Sequence, residues 1–123
     1  MSWFYSPKSG AKLNWENLTS LSQLDQLIKE LDVPVLFFKH STRCSISSMA
    51  LNRFESEWDQ KTKCKLIFLD LLAQRDLSNE IESRTRIQHQ SPQAIVLFQG
   101  NPIYNASHNS ISAQKIEQLI ANL

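Results

Sequence analysis

Apolar positions along the chain follow two patterns, a helical period and short continuous runs. From Leu18 they run Leu18, Leu21, Leu24, Leu27, Ile28 and Leu31, the three-and-four spacing of an amphipathic helix. Ser20, with Gln23 three positions on, has the form of a capping box. Val33 to Phe38 is continuously apolar between Asp32 and the Lys39-His40 pair, which predicts a strand buried on both faces with Pro34 at its very start. Behind it Ile46, Ala50, Phe54 and Trp58 recur every four residues with Met49 and Leu51 beside them, predicting a helix over Cys44 to Gln60. Cys64 to Leu69, ending in Asp70, repeats the buried-strand pattern. Two such strands joined through a helix imply parallel pairing with a right-handed crossover.

The pattern changes toward the end. Asp76 to Gln88 predicts a shorter helix with a thin apolar face of Leu77, Ile81 and Ile87, N-capped by Asp76 or Ser78. Gln93 to Phe98 and Ile103 to Ser107 read as strands around a Gln99-Gly100-Asn101-Pro102 turn, hence an antiparallel hairpin. A last helix opens at Ser112, with Ile111 and Ile116 at the two positions of a hydrophobic staple and Ile116, Leu119, Ile120 and Leu123 as its face. Residues 1–12 hold Trp3, Phe4 and Tyr5 together with Pro7 and Gly10 but no periodicity, and read as an irregular arm. Leu13 to Trp15 allows a short strand. The order is α-β-α-β-α-β-β-α, within one domain spanning residues 13–123.

Composition narrows the function. A chain of 123 residues can bury roughly two-thirds of its unfolded surface without disulfide staples. Thirteen Lys and Arg against twelve Asp and Glu form no basic stripe, so small molecules or proteins are expected as partners rather than nucleic acid or membrane. Met1 to Gly10 lacks the pattern of a signal peptide and no apolar run approaches a membrane span, so a cytoplasmic protein is expected. Gly10 and Gly100 are the only glycines, which leaves no phosphate loop or dinucleotide fingerprint, and the two cysteines match no zinc spacing. No metal or bound cofactor is expected.

The chemistry then centres on Cys44. The approach Phe37-Phe38-Lys39-His40-Ser41-Thr42-Arg43 puts this thiol at a strand-to-helix junction, where free amides and the positive end of the helix dipole favour a thiolate. Arg43 adds a positive charge that can meet a carboxylate. Ser47, one turn along, is near enough for its hydroxyl to donate to the sulfur, and His40 can act as an imidazolium or in proton transfer. Cys64, starting a buried strand, reads as structural, since apolar burial raises a thiol's pKa and blunts its reactivity.

Three local motifs carry a resemblance: Phe38-Lys39-His40-Ser41-Thr42-Arg43-Cys44 with Ser47; Ser91-Pro92-Gln93; and Ser107-His108 followed by Ile111. Together with Asp70 and Arg75-Asp76-Leu77-Ser78-Asn79, from about Trp15 to the C-terminus, the chain resembles the YtxJ family of bacillithiol-linked, thioredoxin-like general stress proteins, the monothiol bacilliredoxins. The resemblance implies a thioredoxin-like three-layer α/β sandwich, its sheet parallel in the first half and closed by the antiparallel hairpin. It also implies reduction of mixed disulfides between bacterial protein cysteines and bacillithiol, a small thiol acting as co-substrate. Pro92 matches the position of a cis proline, with the Ser91 backbone facing Cys44 to pair with a substrate main chain. Thr42, Arg43, Ser47, Ser91 and Pro92 are thus the expected substrate contacts, Gln93 only begins a strand, and His108 caps the last helix or helps the thiol pocket. Where thioredoxins carry C-x-x-C, this frame reads Cys44-Ser45-Ile46-Ser47, so the resolving thiol is absent and a one-cysteine exchange remains. Two other readings stay open: the same chemistry with glutathione or another small thiol, and a non-catalytic adaptor that holds a protein on the Pro92 face.

Overall fold

The computed structural model describes residues 13–123; the arm expected over residues 1–12 lies outside them. Five strands form one sheet, β1 (Glu16–Asn17), β2 (Val35–His40), β3 (Lys65–Asp70), β4 (Gln93–Phe98) and β5 (Asn101–Ser107), in the order β1-β3-β2-β4-β5. β1, β3 and β2 are parallel, whereas β4 runs antiparallel to both β2 and β5. The helices are α1 (Leu21–Ile28), α2 (Ser45–Glu57), α3 (Arg75–Thr85) and α4 (Ala113–Ala121). None of the helices among the described residues is long and apolar enough to cross a membrane.

Strand alternation divides the core into two clusters, which makes the three layers. Leu36 and Phe38 of β2 face Ala50, Leu51 and Phe54 of α2 and Ala113 and Ile116 of α4. Val35 and Phe37 face the other way, onto Leu24 and Leu27 of α1 and Leu77 and Ile81 of α3. The first face is aromatic: Trp15 packs edge-on against Phe38 and Phe68, and Phe54 stacks on Trp58.

Several boundaries differ from the sequence expectation, each for a local reason. The first strand follows Trp15 instead of containing it, because the indole is drawn into the aromatic layer, where its Nε1 donates to Glu55 Oε2 at 2.8 Å. Leu18 precedes α1: its amide donates to the Phe68 carbonyl, and Ser20 then caps the helix by accepting from the Gln23 amide. Leu31 and Leu123 lie beyond their helices and are exposed, and Leu119 is exposed on α4. α2 is shorter than expected, with Cys44 as its N-cap and the extended backbone of Trp58 ending it. Its Ile46 and Met49 stay exposed, because the buried face of the helix is formed by Ser47, Ala50, Leu51 and Phe54. Neither Asp76 nor Ser78 caps α3: Gln74 holds that position, Asp76 lies in the first turn, and Ser78 is buried. β5 starts two residues early because the hairpin turn is only Gln99-Gly100, both with positive φ (53° and 81°), and a register shift between Val96 and Leu97 admits Pro102 to the edge strand. Ser112 and the buried pair Ile111 and Ile116 form the expected cap and staple of α4.

Candidate functional site

β2 determines where Cys44 stands. Its last two residues, expected outside the strand, belong to it: Lys39 pairs with Leu69 and Gln93, and His40 with Asp70. A tight turn follows, closed by the Cys44 amide donating to the Ser41 carbonyl at 3.2 Å. Thr42 and Arg43 occupy its two central positions and are exposed. Cys44 is then the N-cap of a 13-residue helix, a free and half-buried cysteine whose side chain caps no helix amide. The positive end of the helix dipole is beside it.

Beneath this turn lies a buried polar cluster. The Ser41 amide donates to Ser47 Oγ at 3.1 Å, and the same oxygen lies 2.7 Å from His40 Nδ1. Ser47 is fully buried, so its hydroxyl braces the turn from below and is engaged with His40 and Ser41 rather than with the sulfur. His40 is buried too, 5.5 Å from the Phe68 ring. Burial pushes its pKa below the usual histidine range, against the pull of Asp70, Glu55 and the Ser47 bond, which favours a neutral imidazole over the imidazolium. The His40 carbonyl accepts from the Leu71 amide at 2.9 Å, tying the β3–α3 loop to the same place.

The Ser91–Pro92 peptide is cis. Directly after it Gln93 opens β4 opposite Lys39, which brings this loop to the end of the sheet where β2 delivers Cys44. The Pro92 carbonyl accepts from the His108 amide at 3.0 Å, so His108 joins the same end, while Ser112, not His108, caps α4. The Ser91 hydroxyl is buried without a hydrogen-bond partner among the described residues.

Cys64 is elsewhere. It precedes Lys65, which pairs with Val35 at the start of β2, whereas Cys44 follows the end of that strand. Five strand steps, roughly 16 Å, separate the two ends, far beyond the reach of a disulfide. The Cys64 thiol lies against the aromatic core cluster, and burial pushes its pKa up to about 12, offset only partly by a bond at the Leu36 backbone.

Sequence reasoning missed a second polar group, on the opposite face of the sheet. Lys39 is fully buried, with its Nζ 3.2 Å from His89 Nδ1, and Ser78 Oγ lies 3.1 Å from that same nitrogen. Burial lowers the Lys39 pKa to about 8 against the pull of Glu82. The available signal was a polar residue in phase with Val35 and Phe37; taken as the strand's edge, Lys39 could not be placed inside it.

A sequence-family profile described as monothiol bacilliredoxin BrxC matches residues 16–116. A solved protein of thioredoxin fold, described as a candidate oxidoreductase, is 31% identical, with a TM-score of 0.74 over 85% of this chain and 91% of that one. Mitochondrial thioredoxin 3 from Saccharomyces cerevisiae, in its oxidized form, is 18% identical with a TM-score of 0.69, covering 94% of this chain and all of that one. A thioredoxin from Nicotiana alata is 14% identical with a TM-score of 0.70, covering 94% and 97%. At those identities the two thioredoxins speak for the fold alone.

Proposed function

The chain belongs to the monothiol bacilliredoxin family of thioredoxin-fold thiol oxidoreductases, and we propose that it removes bacillithiol from mixed disulfides on client proteins in the cytoplasm. The observation that carries this reading is the distribution of thiols. Cys44 is free and accessible at a helix start, the next-turn position holds a buried serine, and the other cysteine sits at the far end of the sheet.

The Cys44 thiolate attacks the bacillithiol sulfur of the mixed disulfide. The old S–S bond breaks, the client sulfur leaves as a thiolate that takes a proton from solvent, and the cap now sits on Cys44. With no thiol within reach to displace it, a second small thiol or a partner reductase attacks the Cys44 disulfide. One small-molecule or partner disulfide then forms for each Cys44 thiolate restored, so electrons balance over the cycle. Thr42 and Arg43, exposed on the turn, meet the cap, and the guanidinium suits its carboxylates. Ser91 and Pro92 form the platform for the client main chain.

The test is cap transfer followed by intact mass. A model protein carrying bacillithiol on one cysteine is mixed with the reduced chain, with Cys44→Ser and with Cys64→Ser. One cap is expected on the wild type and on Cys64→Ser and none on Cys44→Ser. A parallel substrate carrying glutathione sets the preference between small thiols. If no cap moves at any pH between 6 and 10, the exchange reading falls and a client-holding adaptor replaces it.

A further inference from the structure

We propose that Lys39 is a positioning residue for this exchange: through His89 it fastens the loop bearing Ser91 and Pro92 to the strand that delivers Cys44. The consequence for catalysis rests on the exchange reading above; the fastening itself does not.

The loop has no ladder of its own. Between the end of α3 and the start of β4, residues 86–92 form neither helix nor strand. Besides Ser78 Oγ at His89 and the His108 amide at the Pro92 carbonyl, two buried side chains that face each other across the β2–β4 pair hold them. Gln93 Nε2 donates to the Gln88 carbonyl at 3.0 Å, and the Gln90 amide donates to Gln93 Oε1 at 3.3 Å. Between these two, His89 receives Lys39. Residues 88, 89 and 90 are therefore each secured to the sheet immediately before Ser91 and Pro92. Gln93, expected only to begin a strand, is half of the fastening.

The chemistry of the pair is specific. An ammonium only donates, so His89 Nδ1 is the acceptor, and the neutral ring carries its proton on Nε2. Lys39 is flanked in the sheet by Leu69 and Gln93 and feels the charge of Glu82 on α3, while His89 in the loop feels Lys39, Arg75 and Glu82. Burial, with Lys39 and Arg75, holds the His89 pKa below the usual range against Glu82. Once His89 gains a proton, Nδ1 becomes a donor that faces an ammonium and turns to Ser78 Oγ, and the tie to Lys39 on β2 opens. Packing alone would be served as well by methionine, which has similar length and no charge to bury.

The test uses the full chain with Lys39→Met, His89→Leu and His89→Asn, the last retaining an acceptor oxygen near the Nδ1 position. Client cap transfer is divided by the rate at which iodoacetamide alkylates Cys44, which removes thiolate fraction from the comparison. We expect Lys39→Met and His89→Leu to lower this ratio about tenfold, because small displacements of a positioning element cost that much or more. Lys39→Met should do so without a lower melting temperature. His89→Asn should keep the ratio and lose the decline expected of the wild type as pH falls through the lowered His89 range. A ratio within twofold of wild type in both Lys39→Met and His89→Leu overturns the proposal. So does nitrogen-15 NMR of the wild type that finds His89 protonated on Nδ1 at pH 7.5. If the wild type itself moves no cap, the exchange reading alone has failed, and the fastening is judged by NMR. Lys39→Met must then shift and speed amide exchange at Gln88 to Ser91; unchanged amides overturn it.

Discussion

Cys44 and Cys64 carry the same side chain in two environments, and each precedes an element of secondary structure. Cys44 precedes a helix, at the end of the sheet where a turn exposes it and a dipole's positive end is beside it. Cys64 precedes a strand, at the other end, against Trp58, Leu66 and the rest of an aromatic layer. A cleft of about 400 Å³ opens beside Cys64, lined by Trp15, Trp58 and Lys65, so access alone does not separate the two thiols. What separates them is which form of sulfur the surroundings tolerate: burial holds Cys64 protonated to about pH 12. The difference in reactivity expected of the two thiols is a property of position in the fold.

The largest test of this contrast is alkylation. At pH 8 a thiol with a pKa of about 12 is ionised in only about one molecule in 10⁴. Iodoacetamide on the native chain should therefore place one label, on Cys44, with Cys64 reacting at least about a thousandfold more slowly. Peptide mass mapping reads this directly, and unfolding in urea should erase the difference. Comparable labelling of both thiols in the native chain would break the comparison.

A second test moves a thiol from the Cys64 environment to that of Cys44. Ser47→Cys combined with Cys64→Ser keeps two cysteines but places the second one turn from Cys44. Capped Cys44 should then shed its cap by an internal disulfide without added thiol, whereas the capped wild type should keep it, since a neighbouring nucleophile acts at high effective concentration. The mass spectrum should show the cap lost together with two hydrogens relative to the reduced chain. A persistent cap would mean that the buried Ser47 position cannot reach the sulfur.

A third asks what each neighbourhood contributes to stability. Ser47→Ala removes the shared partner of the Ser41 amide and His40 Nδ1 and should cost about 1–3 kcal/mol. Cys64→Ala, which leaves no polar group stranded, should cost about 1 kcal/mol or less. Urea unfolding of the two variants side by side measures both. Equal losses would mean that the polar cluster under the turn is no more demanding than ordinary packing.

Much of this was legible from residue order. Helical periodicity placed the four helices, continuous apolar runs the buried strands and turn residues the hairpin, and the serine in the C-x-x-C frame gave the monothiol reading. What escaped notice were polar groups with partners far along the chain. Ser47 read as a donor to sulfur because Cys44 is its sequence neighbour, whereas its partners are His40 and Ser41 on the preceding strand and turn. Lys39 and His40 read as a polar stop, although a strand buries polar side chains when a loop or helix from elsewhere supplies a partner, here His89 for one and Ser47 for the other. No local period encodes such a meeting.

The finest test of the contrast is the alkaline limb of stability, where Cys64 meets an opponent. The Cys64 thiol ordinarily titrates near 9.0 and in the fold at about 12. Between those values the folded chain holds the extra proton, and stability falls as pH rises. Lys39 ordinarily titrates near 10.5 and in the fold at about 8. Between those values the unfolded chain holds the extra proton, and stability rises with pH. The two slopes have opposite sign and overlap between pH 9 and 10.5, so their sum there should be close to flat. Lys39→Met should remove the rise from pH 8 and uncover a decline beginning near pH 9. Cys64→Ala should let the rise continue to pH 10.5. Burial also raises the Tyr104 phenol, which adds a decline above about pH 10, so each variant is compared with the wild type at the same pH. Urea midpoints from pH 7 to 11 suffice for the measurement. If Cys64→Ala follows the wild type throughout, its sulfur is as easily ionised as that of an unfolded chain, and the distinction between the two thiols loses its electrostatic basis.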